Sequence, residues 1–240
     1  MKRIGLALAT MLLLMTSGMA FGQKNTPYIF NTKHNFGAGP GSGWASSEIC
    51  KPCHTPHNAI ESEVSDRIWA HTLSVASYTM PGGAVLSQTD ALDPYSRLCM
   101  GCHDGTVALD AFVGSSSASS FLSNGNAAYI GTDLSNDHPV GNEAVYPMGA
   151  NASSSMKDPV AGRGGNGWAV GTTNTTLGTG SLPLRLADNG SDYVVSCGTC
   201  HNPHGAGQNV IAGNGYGTPY PKLLRGLNTN SQLCTTCHIK

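Results

Sequence analysis

Cys50-Lys51-Pro52-Cys53-His54 opens a pattern that returns three times, as Cys99-Met100-Gly101-Cys102-His103, Cys197-Gly198-Thr199-Cys200-His201 and Cys234-Thr235-Thr236-Cys237-His238. These copies use all 8 cysteines of the chain. Two thiols separated by two residues can form thioethers with the two vinyl groups on one edge of a haem, and the next residue then lies under the iron and supplies its proximal imidazole. The spacing predicts four covalently attached c-type haems, held by Cys50, Cys53, Cys99, Cys102, Cys197, Cys200, Cys234 and Cys237, with His54, His103, His201 and His238 as proximal ligands. Other thiol chemistries fit less well. A disulfide framework gives no reason for the histidines. With 9 His in 240 residues, chance sets one after each of four given cysteines only about twice in a million. A zinc centre can draw on two Cys pairs but requires no His after every pair. A thioredoxin-like redox pair needs one such motif on a βαβ scaffold, and no βαβ pattern is legible.

Each iron needs a second axial ligand, and five histidines remain: His34, His57, His71, His138 and His204. Beyond the leader the methionines are Met80, Met100, Met148 and Met156; Met100 lies inside an attachment motif, and Met80 is the one alternative kept. Two imidazoles at every iron is the economical assignment. His57 and His204 each follow a proximal His by three residues, through a proline. Opposite ligands of one haem need Cα atoms roughly 12 Å apart, given metal to nitrogen bonds of about 2 Å. Three residues span at most about 11 Å when fully extended. Neither His can close the haem of its own motif, so each serves a different haem or none.

The motifs fall into two alternating types. Residues 50–59 and 197–206 share C-x-x-C-H-x-P-H-x-A, and residues 96–103 and 231–238 share S-x-L-C-x-x-C-H. The chain reads as a duplicated dihaem unit, with halves at about 34–103 and 138–238. His34 and His138 each precede a half, whereas His71 has no counterpart, which makes His34, His57, His138 and His204 the most regular distal set.

The chain carries 13 Lys+Arg against 14 Asp+Glu and is only 11% charged, which leaves no basic footprint for nucleic acid. Its 31 Gly and 13 Pro, with Ser, Asn and Thr tracts at 114–125 and 149–180, show no helical apolar period. The expected fold is a mostly irregular, loop-rich chain wrapped around four haems, with a few short helices and little strand. Residues 21–240 form one body in this reading, with porphyrin supplying buried surface that the side chains cannot. Short helices are expected over 62–73 and at each S-x-L-C-x-x-C-H segment. The apolar run at 4–15 follows Lys2 and Arg3 and precedes small residues. It reads as a signal peptide over 1–20, with cleavage after Ala20 or after Gly22, and no other stretch has transmembrane length. Export is expected.

The segments Lys33-His34-Asn35-Phe36, Cys50 to Asn58, Ser96 to Thr106, Asp137-His138-Pro139-Val140-Gly141, Cys197 to Gly205 and Leu233 to Lys240 resemble the exported multihaem c-type cytochromes of metal-respiring prokaryotes. The four-haem count is most similar to their filament-forming OmcE type. That resemblance implies extracellular filaments of stacked copies with one continuous haem chain, bis-His ligation, and a His of one subunit ligating a haem of the next. The position matching that donor is His57. The expected function is electron transfer without substrate chemistry, toward partner cytochromes or extracellular acceptors. A soluble periplasmic tetrahaem shuttle is the alternative. A multihaem reductase would call for an open haem or an altered attachment motif, and neither is present.

Overall fold

The computed structural model describes Ile29 and residues 32–37, 49–60, 67–115, 118–161, 168–171, 182–205, 207–208, 218–219, 221–226 and 228–239. The expected signal peptide at 1–20 and its cleavage site lie outside the described residues.

Helix is short wherever it occurs. The longest described helix, Pro94–His103, begins where Asp93 accepts hydrogen bonds from the Tyr95 and Ser96 amides and Pro94 occupies the first helical position. It ends beyond His103, where Gly105 takes a positive φ of 76°. One-turn helices follow at Gln88–Ala91, Cys197–Cys200 and Cys234–Cys237. The Cys197–Cys200 turn is started by a capping box in which Ser196 and Thr199 satisfy each other's amides. The expectation of a helix over 62–73 is not met in its described part. Arg67 alone has 3-10 geometry there, Ile68 takes a positive φ of 45°, and beyond it Trp69 bridges to His54 and His71 to Phe112. Residues 62–66 lie outside the described set.

Strands are two or three residues long and antiparallel. β1 (Ser77–Thr79) and β2 (Val85–Ser87) form a hairpin whose turn uses Gly82 and Gly83 at positive φ. β3 (Val160–Ala161), β4 (Trp168–Val170) and β5 (Leu182–Pro183) make the largest sheet. β6 (Arg185–Leu186) pairs with β7 (Tyr193–Val194), and β8 (Gly207–Gln208) with β9 (Thr218–Pro219). The 149–180 tract contributes β3 and β4. The remaining described residues are mostly irregular, as the composition implies.

Among the described residues two small apolar clusters form the core. Tyr78, Met80, Ala91, Leu92, Met100 and Leu134 form one, against the Pro94–His103 helix. Tyr146, Val170 and Leu184 form the other, with Met156, Trp168, Tyr193, Val195 and Cys237 packed on it. Each cluster therefore backs one S-x-L motif. The halves of the sequence are locked by polar contacts. Asn142 Nδ2 donates to the Leu92 carbonyl (3.1 Å) and to Asp188 (2.8 Å), and Asp188 also pairs with Arg97. Gly141 closes the joint: a Cβ there would stand 2.2 Å from the Ala91 carbonyl. No helix among the described residues is long and apolar enough to cross a membrane.

Candidate haem-binding sites

Each C-x-x-C-H is one helical turn. The amides of His54, His201 and His238 donate to the carbonyls of Cys50 (2.8 Å), Cys197 (3.0 Å) and Cys234 (2.9 Å), and the Cys99 to His103 copy lies inside a helix. Residues three apart share one face of such a turn, so the two thiols point together, as attachment along one edge of a ligand requires. All eight thiols are free. Burial pushes Cys53 up to about 12 and Cys200 up to about 11, and raises Cys102 and Cys237 as well. Cys197 differs, being lowered by the neighbouring Cys99 thiol.

Three of the four proximal imidazoles face a distal candidate. His54 lies opposite His204 with ring centroids 6.0 Å apart, His103 opposite His34 at 6.0 Å, and His238 opposite His138 at 6.3 Å. Two iron to nitrogen bonds of about 2 Å, plus about 1.1 Å from each nitrogen to its ring centre, put bis-His centroids roughly 6.2 Å apart. The spacing fits a haem iron between the rings. The interplanar angles of 33°, 51° and 70° are no obstacle, because rotation about the nitrogen–iron axis is free. Among the described residues no group of three or more His, Cys, Asp or Glu converges as a direct metal centre would need, whereas a haem asks only for one imidazole on each face.

Backbone carbonyls orient these rings. The Nδ1 of His54 donates to Arg67 O (2.7 Å), that of His103 to Ala128 O (2.7 Å) and that of His201 to Lys222 O (2.8 Å). Distal His34 donates to Pro203 O (3.1 Å) and His138 to Pro139 O (2.9 Å). A proton fixed on Nδ1 leaves Nε2 as the ligating atom and makes it more basic. His34 is pulled down to about 4 by burial and then by His103, so it stays neutral, as a ligand must.

His71 differs. It is 1% exposed, and both ring nitrogens face carbonyls: Nδ1 that of Thr72 (2.7 Å), Nε2 those of Ala108 (3.1 Å) and Leu109 (3.2 Å). A neutral imidazole carries one N–H, so one of these nitrogens donates and the other keeps its lone pair. Met80 is buried in the first apolar cluster. His57 is exposed, and among the described residues neither His57 nor His201 has an imidazole at the spacing that joins the other three pairs.

The motifs adjoin one another in chain order. The Ala70 amide donates to Cys53 O (2.9 Å), and the neighbouring His71 Nε2 lies 3.3 Å from Cys102 Sγ, which links the first motif to the second. Ser96 Oγ accepts from the Cys197 amide (3.1 Å) and meets Ser196 Oγ (3.2 Å), which links the second to the third. Cys200 is raised by burial and then by Cys237 and Cys234, the thiols of the fourth.

The first and third motifs also share their surroundings. Thr55 N to Ile68 O and Ala70 N to Cys53 O correspond to Asn202 N to Leu223 O and Arg225 N to Cys200 O. Ile68 and Leu223 both sit at positive φ, 45° and 58°, which bulky side chains rarely adopt. The sequence offers no sign of Arg67 and Lys222 as the residues whose carbonyls hold the proximal rings, because a carbonyl has no side-chain signature. No protein-family model matches the chain, and no curated protein matches it, so what the site does has to be argued from its own residues.

Proposed function

We propose that this chain is an exported electron carrier holding four c-type haems, each between two imidazoles, and that copies of it assemble into an extracellular filament. The observation that carries the reading is the set of three His pairs at 6.0 to 6.3 Å, each joining the last residue of a C-x-x-C-H motif to a distant His. Bound haem iron would supply one-electron ferric/ferrous cycling, and two imidazoles leave it no open position for a substrate. The chain's own residues set its properties. The carbonyls of Arg67, Ala128, Lys222 and Pro203 hold the imidazole planes and strengthen the ligands as donors, which favours the ferric state. Contacts link the first motif to the second and the second to the third, and the His54–His204 pair sets the first beside the third, a clustering suited to electron transfer between sites.

The fourth pair supports assembly. His201 and His57 are both exposed and both unmatched within the described residues. A ligand on one surface and its acceptor on another form a head-to-tail contact, which propagates as a filament when it does not close. His57 of one copy thus completes the His201 site of the next. Electrons would pass to partner cytochromes or extracellular acceptors. The test is His57→Ala in the exported holoprotein, read by negative-stain imaging and electronic spectrum. Filaments should be short or absent, with one haem in four high-spin. Normal filaments with every haem low-spin would overturn the role of His57, and a wild-type protein that stays monomeric would favour a periplasmic shuttle.

A further inference from the structure

Three of the four attachment turns are backed by the chain in the same way. Trp69 bridges to His54, Leu224 to His201 and Met156 to His238. In each case the next residue donates its amide to the carbonyl of the second motif Cys: Ala70 to Cys53 O (2.9 Å), Arg225 to Cys200 O (2.8 Å) and Lys157 to Cys237 O (2.8 Å). At two of these places the same residue also reaches back with a cation. Arg225 Nε donates to Gly198 O (2.8 Å) and Lys157 Nζ to Thr235 O (2.5 Å), each time the carbonyl just after the first Cys of the motif. Arg225 follows its motif in the chain and Lys157 precedes its own, so the match is one of geometry and not of repeated sequence. The first motif has uncharged Ala70 at this place, and in the second the corresponding carbonyl, Met100 O, accepts from the Asp104 amide within the helix (3.2 Å).

Both cations are half-buried, where a charge reaches further than it does in water. Each is felt at its own motif. Burial chiefly raises Cys200 and Cys237; against it Arg225 acts on the first thiol, and Tyr146 and Lys157 act on the second. Arg225 is pulled down to about 10 by burial and then by Arg185, which still leaves it charged at neutral pH. Asp158, beside Lys157, is exposed, so water screens it more than the ammonium. We propose that Arg225 and Lys157 are potential-setting residues of the third and fourth haems, each fixing its attachment turn by two hydrogen bonds and holding a cation beside it. A cation there stabilises an added electron, so the ferrous state gains. After burial, His54 and Arg67, Arg225 also lowers His204, so its charge reaches the first site as well, whereas Lys157 serves the fourth alone among these contacts. This rests on the proposed haem attachment.

The test uses purified holoprotein with Lys157→Gln, Lys157→Arg and Arg225→Gln, and with Lys157→Met as a second neutral form should the Gln variant fold poorly. Intact mass gives the haem count, the electronic spectrum the spin state, and potentiometric titration the four midpoints. Lys157→Gln should keep four low-spin haems and lower one midpoint, by up to about tenfold in electron affinity, which is about 59 mV for one electron. Lys157→Arg keeps the charge and should leave that midpoint near its wild-type value. Arg225→Gln should lower a different midpoint, with a smaller fall at a second. Unchanged midpoints in the neutral Lys157 variants and in Arg225→Gln overturn the proposal. A fall in Lys157→Arg as large as in Lys157→Gln assigns the effect to packing instead of charge and also overturns it. A wild-type mass without four haems removes the haem reading itself, which distinguishes that failure from failure of the two cations.

Discussion

Removing the His71 ring and removing the His204 ring should have opposite consequences, although the sequence offers both as distal ligands. The His71 ring is 1% exposed and faces the Thr72, Ala108 and Leu109 carbonyls. Ala108 O keeps a bond from the Ala111 amide at 2.9 Å, so the loss falls mainly on the other two carbonyls. A buried acceptor left unsatisfied costs about 1 to 3 kcal/mol, and the cavity left by the ring adds to it, so His71→Ala should destabilise by about 2 to 5 kcal/mol. Its haems should remain low-spin. The His204 ring is exposed, and substitution at such a site changes polypeptide packing by about 0.5 kcal/mol or less. What His204→Ala loses is the imidazole opposite His54, so one haem in four should gain the high-spin charge-transfer band while the assembly stays intact. Denaturant unfolding and the electronic spectrum, recorded on both variants, decide the matter. A high-spin band in His71→Ala with unchanged stability, or a wholly low-spin His204→Ala, would refute the assignment of the two rings.

Gly101→Ala should destabilise by up to about 2 kcal/mol, since a helix gain of about 1 kcal/mol is set against an overpacking cost of about 1 to 3. Its Cβ would stand 2.9 Å from the Thr72 carbonyl, whereas Gly198→Ala meets nothing closer than 3.6 Å and should be neutral or stabilising; thermal unfolding of the pair checks this. Tyr78→Phe removes a 2.6 Å bond to buried Asp104 and should cost about 1.5 to 3 kcal/mol by denaturant titration. Asp93 is 0% exposed, and burial raises its carboxyl above the ordinary 3.8 despite hydrogen bonds from Ser96. The folded chain then holds this proton more tightly than the unfolded one. Its contribution to stability is present at acid pH and lost as pH rises through the folded value. Asp93→Asn should flatten that slope in unfolding measurements above the ordinary carboxylate range, and an unaltered slope would assign it to another group.

What the residues disclose depends on how local the chemistry is. A C-x-x-C-H turn is complete within five residues, so thiols and proximal rings can be read directly. The partner of a proximal ring cannot. His204 reaches His54, and His34 reaches His103, only because the chain path brings distant segments together, and an extended Gly-rich chain leaves no periodic signal of that path. The three-residue limit did narrow the choice, since it barred His57 and His204 from their own motifs. His71 is ambiguous in sequence because a buried imidazole and a ligating one look alike there. The misread part of 62–73 has the same origin: Trp69 and His71 are drawn into bridges with His54 and Phe112, which a local pattern does not contain. The alternation of motif types, by contrast, is repeated in the backbone around His54 and His201, where Arg67 and Lys222 present equivalent carbonyls.

The central claim is that eight thiols carry four haems. Intact-mass measurement of the exported, purified protein tests it most directly, because thioether attachment survives denaturation. The mass should equal that of the mature peptide plus four haems, unchanged by acid, chelator or reductant. A mass equal to the peptide alone, to the peptide with disulfides, or to the peptide with chelatable zinc would contradict it.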